Sequence, residues 1–185
     1  MKKIFNIAGP CLADKHYMLP AAQRLTEVAS LIEQNQYFVI HAARQSGKTT
    51  FLRGLTNEIN AKGDYYALYC SLESVQPFKE AKDGIPASID AISLMLEFSN
   101  LPYKNEFAKD LDGASPANLL QRALSRYCST LDKPLVLLFD EVDSLSDSTL
   151  ISILRQLRSG YINREDIPFP HSVALVGMRN IRDYK

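Results

Sequence analysis

Tryptophan is absent from this 185-residue chain, histidine occurs three times, and the three cysteines, Cys11, Cys70 and Cys128, stand far apart. An odd, scattered set without a C-x-x-C pair supplies neither a disulfide framework nor a zinc site, and it suits a reducing compartment. His16, His41 and His171 have no metal-ligand spacing and no serine or cysteine nucleophile beside them, so they read as structural. Long hydrophobic runs are lacking too. The longest strongly apolar segment, residues 135–139, is far short of the roughly 20 residues of a bilayer-spanning helix. Behind Lys2 and Lys3 the apolar stretch is broken at Asn6 and ends by Asp14, too short for a secretory leader. These absences predict a cytoplasmic protein with no membrane contact. Nor does either sign of charge prevail, with 21 Lys and Arg against 21 Asp and Glu. Binding to a nucleic-acid backbone rests on many uncompensated cations, so nucleic acid is not expected to be the main ligand.

What is present is an ordinary globular composition, 46% apolar and 23% charged, long enough to bury a core without staples. Residues 1–185 read as a single domain. Residues 1–20 are irregular, punctuated by Gly9, Pro10 and Pro20. The spacing of Leu25, Val28, Ala29, Leu31 and Ile32 predicts a helix over 21–34, and 37–40 reads as a fully buried strand. A helix over 49–61 turns Phe51, Leu52, Leu55 and Ile59 inward and stops at Gly63, and 65–70 is a second strand. Breakers at Pro77, Gly84, Pro86, Pro102 and Gly113 make residues 71–115 an elaborated, partly mobile insertion, helical near 89–98. Ser115 as N-cap and Pro116 at the first helical position open a helix through 131. A strand over 134–139, a helix over 149–158 and a strand over 173–176 follow. Apolar strands, each followed by a helix, predict an α/β fold with a parallel sheet covered on both faces.

The chemistry begins between the first strand and its helix, at His41-Ala42-Ala43-Arg44-Gln45-Ser46-Gly47-Lys48-Thr49-Thr50. A phosphate-binding loop sits at such a junction. Backbone N–H groups from Ala43, Arg44, Gln45, Ser46, Gly47 and the first helical turn, through Thr50, converge on a triphosphate, and the helix dipole adds positive potential. The Lys48 ammonium bridges the outer phosphates and the Thr49 hydroxyl ligates magnesium. Gly47 lets the backbone approach phosphate closely. Ala42 departs from the pattern G-x-x-x-x-G-K-[ST], which has glycine there. A Gly-Lys-Thr helix start that binds nothing is the alternative.

A second element answers the first. Leu135-Val136-Leu137-Leu138-Phe139 ends in Asp140 and Glu141, and a strand of this kind delivers its last side chains to the edge of the sheet that carries the loop. Asp140 can hold the magnesium shell, and Glu141 can act as general base on an attacking water. Both acids could instead merely cap the next turn. A third element, Val173-Ala174-Leu175-Val176-Gly177 followed by Met178, Arg179 and Asn180, offers Arg179 as a contact to the γ-phosphate, with Asn180 second. A strand-end arginine is also commonly just a solvated cation; Arg155 and Arg158 could serve a neighbouring subunit as arginine fingers, but their i,i+3 spacing fits a solvated helix face better.

On these three elements the chain resembles the bacterial AAA-like ATPases, within the group that holds AAA+ proteins and the signal-transducing STAND NTPases. The carrying residues are Ala42 to Thr50, Leu137 to Leu145, and Gly177-Met178-Arg179-Asn180, in order along nearly the whole chain. The resemblance implies a three-layer αβα fold with a central parallel sheet in the order 5-1-4-3-2. It implies adenine held by residues 9–20 within the N-terminal segment, Mg2+ and ATP or ADP as ligands, and a sensor at Arg179. Family members usually continue into a fifth strand and a helical lid, whereas the sequence ends at Lys185. ATP rather than GTP follows from the resemblance, since no N-K-x-D motif is present. The expected function is Mg-dependent ATP hydrolysis coupled to conformational change. A slow STAND-like nucleotide switch, a non-hydrolysing nucleotide-binding module and a DNA-associated motor or loader are the alternatives. A protein partner and an oligomer stay open.

Overall fold

The computed structural model describes residues 3–4, 14–17, 22–41, 43 and 46–177. Its four strands are β1 (Tyr37–His41), β2 (Tyr66–Ser71), β3 (Leu135–Asp140) and β4 (Ser172–Gly177). All pair in parallel, in the order β1-β4-β3-β2. This is the expected order for strands one to four; the fifth strand is not among the described residues. The two central strands, β3 and β4, are buried at every position, as continuous apolar runs require. β1 departs from its expected full burial. It stands at an edge with a neighbour on one side only among the described residues, and Val39 is 40% exposed.

Period-two alternation sorts the strand side chains into two cores. On one face Ala67, Val136, Leu138, Ala174 and Val176 pack against Ile32 of α1 (Ala22–Glu33) and Leu52, Leu55 and Ile59 of α2 (Lys48–Lys62). On the other, Leu68, Leu137, Phe139 and Val173 meet α3 (Ala81–Phe98), α4 (Pro116–Thr130) and α5 (Asp147–Ile162). The result is three layers, helices over sheet over helices. Ser115 caps α4 as expected, its hydroxyl accepting from the Ala117 N–H, and Gly63 closes α2 with its N–H on the Ile59 carbonyl.

α3 is longer than the expected helix near 89–98, because two residues that look like breakers are accommodated within it. Gly84 lies where α3 crosses α5: a Cβ there would stand 2.2 Å from Thr149 Oγ1, so the crossing requires a residue without one. Pro86 falls inside the first two turns and removes one ladder bond near a terminus that already leaves N–H groups unpaired. Burial of Ile85, Ile89, Ile92 and Leu96 outweighs that loss.

Candidate functional site

Because the sheet is parallel, β1, β3 and β4 deliver their last residues to one edge. His41 stands in register with Gly177, and Asp140 with Ser71. The loop after β1 turns into α2 at Gly47, whose φ of 83° lies in the left-handed region that glycine adopts without strain. α2 then starts without a side-chain cap from Gly47 and without an acid in its first turn, so no carboxylate there offsets the positive end of its dipole. Phe51 N–H donates to the Gly47 carbonyl and Ser46 N–H to that of Ala43, while the Lys48 ammonium donates to the Ala43 carbonyl at 3.1 Å. Beside the loop a cavity of about 660 Å³ opens between α1 and β1, with Val28, Leu31, Val39, Ser46 and Lys48 in its wall. That volume lies within the range of small-molecule sites.

Asp140 is 1% exposed at the end of β3, on the face that packs against α2, since it continues the alternation of Val136 and Leu138. Its carboxylate is met by three donors. The Thr49 hydroxyl donates to Oδ2 at 2.8 Å, the Tyr69 hydroxyl donates to the same oxygen at 3.2 Å, and the Glu141 N–H donates to Oδ1 at 3.0 Å. Burial first, then the Asp140 charge, pushes the Tyr69 phenol up to about 12. Glu141 itself has φ 58° and ψ 37°, an uncommon backbone for a residue with a Cβ, and a short 3-10 turn at Val142–Ser144 follows. Ser144 anchors that turn by donating to the carbonyls of Glu141 and of Leu72 just beyond β2. Partial burial, then repulsion from Asp140 and Asp143, raises the pKa of Glu141, with Lys48 opposing. Asp143 Oδ1 is buried without a hydrogen-bond partner, and a Cβ on Gly177 would stand 2.8 Å from it.

Of the residues expected at the site, Thr49, Asp140 and Glu141 are joined by these bonds, and Ala43, Ser46, Gly47, Lys48 and Thr50 lie on the adjoining loop and first turn. Ala42, Arg44, Gln45, Arg179 and Asn180 lie outside the described residues, as does most of the segment 9–20. Arg155 and Arg158 are exposed on α5. His171 is structural as read, its Nε2 against the Ile32 carbonyl at 2.9 Å. Tyr69 and Asp143 went unnoticed. Tyr69 had a signal: it is two residues before the register partner of Asp140, and a period of two puts it on the same face.

Among the described residues no group of three or more His, Cys, Asp and Glu could enclose a metal ion. Magnesium needs no such cage. It is held by one or two protein oxygens together with phosphates and water, and the Thr49 hydroxyl beside the Asp140 carboxylate is a donor set of that kind.

A glycine-lysine-threonine loop after β1, tied to an aspartate from β3 across the end of β4, defines a P-loop nucleotide-binding fold. The chain belongs to the AAA ATPase domain family, whose model matches residues 22–161. No curated protein matches it. Among solved structures it is similar to a chain of Drosophila ORC bound to poly(dA/dT) DNA and Cdc6, with TM-score 0.55 and 10% identity over 87% of this chain and 25% of that one. It is also similar to the Aeropyrum pernix ORC1 protein in complex with DNA, with TM-score 0.45 and 18% identity over 84% of this chain and 36% of that one. The chain thus spans about a quarter and about a third of the length of these two relatives. Among the described residues no helix is long and apolar enough to cross a membrane.

Proposed function

We propose that this domain binds Mg-ATP at the 43–50 loop and hydrolyses it, using nucleotide state to drive a conformational change. The observation that carries the reading is the 2.8 Å hydrogen bond from Thr49 to Asp140, which brings loop and acidic strand end to one point. Loop N–H groups from Ala43 to Thr50, with those of Arg44 and Gln45, cradle the phosphates, and Lys48 exchanges the Ala43 carbonyl for the outer phosphates. Thr49 and Asp140 hold magnesium, which when bound offsets phosphate charge. Glu141 orients the attacking water and accepts its proton; a raised pKa makes it a stronger base than an ordinary glutamate. Arg179 reports the γ-phosphate.

Calorimetric titration of Mg-ATP and Mg-GTP into the protein and into Lys48→Ala tests this. Micromolar ATP binding that the variant loses is the expected result. An unmodified chain that binds neither nucleotide would sink the reading. Turnover then separates an ATPase from a slow switch, which retains ADP through purification.

A further inference from the structure

Two hydroxyls share one oxygen at the end of β3. Asp140 Oδ2 accepts from Thr49 at 2.8 Å and from Tyr69 at 3.2 Å, and a carboxylate oxygen has two lone-pair sites, so Oδ2 is saturated. Asp140 Oδ1 keeps one site beyond the Glu141 N–H. Tyr69 is held in place from both sides. Its backbone belongs to β2 in register with Leu138, and the Arg53 guanidinium lies 5.3 Å from its ring centroid. The Thr49 bond is compatible with a cation, because that hydroxyl can donate its proton to Asp140 and offer its lone pair to metal. The Tyr69 bond is not of that kind, since it reaches Asp140 from the outer strand and fills a site that the water shell of an arriving cation needs. Magnesium gives up its water reluctantly and keeps several waters when bound, so its arrival beside Asp140 brings water hydrogens that need acceptor sites on the carboxylate.

We propose that Tyr69 is a positioning residue that sets the magnesium requirement of the site, its hydroxyl withholding Asp140 Oδ2 until a hydrated divalent cation displaces it. This rests on the reading of the loop as a Mg-ATP site. Loading the cation then costs one hydroxyl-carboxylate hydrogen bond, which at this length corresponds to roughly a three- to tenfold higher magnesium requirement.

The test is ATP binding by calorimetry across a magnesium series and in EDTA, on the unmodified chain, on Tyr69→Phe and on Tyr66→Phe. Tyr66 is the control: it lies on the same strand, but its hydroxyl donates to Asp132, away from the site. In Tyr69→Phe the magnesium concentration for half-maximal enhancement should fall roughly three- to tenfold. Binding in EDTA should match the unmodified chain, the metal-free thermal midpoint should fall by no more than the few degrees that one lost hydrogen bond is worth, and Tyr66→Phe should match the unmodified chain throughout. A requirement that stays the same or rises in Tyr69→Phe overturns the proposal while leaving the Mg-ATP site intact. An equal shift in EDTA also overturns it, because the hydroxyl would then act on the nucleotide or the fold. No ATP binding by the unmodified chain overturns both readings together.

Discussion

Glu141 stands in left-handed backbone, at φ 58° and ψ 37°, where a residue with a Cβ is held at a cost of order 1 kcal/mol. The Ser144 hydroxyl on its carbonyl and the Asp140 carboxylate on its N–H offset that cost. The bend carries its side chain away from the buried row of β3 to a point where it feels both Lys48 and Asp140. Glu141→Gln keeps the size and removes the base, so nucleotide binding should persist while turnover falls by about 10²- to 10⁴-fold. Undiminished turnover in the presence of magnesium would contradict the assignment. The sign of the pH dependence follows from the raised pKa. Protonation removes the active form, so the acid limb of kcat against pH should lie above the ordinary glutamate range. For stability the sense is opposite: folding favours the protonated acid, and that contribution is lost as pH rises through the folded-state pKa.

The elements that carry the site were largely legible in the sequence, because each is encoded locally. A continuous apolar run names a buried strand, Gly47-Lys48-Thr49 stands at the start of α2, and Asp140-Glu141 stands at the end of β3, each where a local motif announces it. What was not legible depends on neighbours distant in sequence. Tyr69 matters only because β2 lies beside β3, and β1 is partly exposed where, among the described residues, it has a neighbour on one side only. Gly84 looked like a loop glycine because nothing around it announces the approach of Thr149 from α5. That crossing yields a prediction at the level of two packed helices. Gly84→Ala gains about 1 kcal/mol of helix propensity, but drives its methyl into Thr149 Oγ1 and Cγ2, at 2.2 and 2.7 Å. Overpacking of this kind costs about 1–3 kcal/mol, so the variant should be destabilised on balance in urea denaturation. Adding Thr149→Ala removes both clashing atoms and leaves the closest remaining contact at 3.0 Å, so the double variant should recover part of the loss. Additive losses would mean that the two helices do not meet as described.

Charge at the scale of the whole molecule bears on the DNA-associated alternative. The Drosophila and Aeropyrum pernix structures named above both contain DNA, yet identities of 10% and 18% carry over no binding property, and the first shows the fold alone. Lys and Arg number 21, as do Asp and Glu, and several of the cations are already engaged. Arg126 pairs with Asp110 at 2.8 Å, Arg53 lies over Tyr69, and Arg164 donates to the Asn35 carbonyl while its guanidinium sits 3.9 Å from the Tyr161 ring centroid. A protein making 6–10 phosphate contacts loses about 10³- to 10⁵-fold in affinity between 50 and 200 mM salt, because each contact releases condensed counterions. A balanced surface has few contacts to lose. Fluorescence anisotropy with a labelled duplex should therefore show only weak binding at 50 mM salt and a shallow salt slope, with or without Mg-ATP. A steep slope would instead mean that the free cations lie on one face, and it would move the proposal from a nucleotide-driven conformational device toward a DNA motor or loader. Adding nucleotide matters, because a domain that gathers its cations only in the ATP state would bind weakly alone and steeply with Mg-ATP. Such a difference would make DNA the reporter of the conformational change proposed for this site.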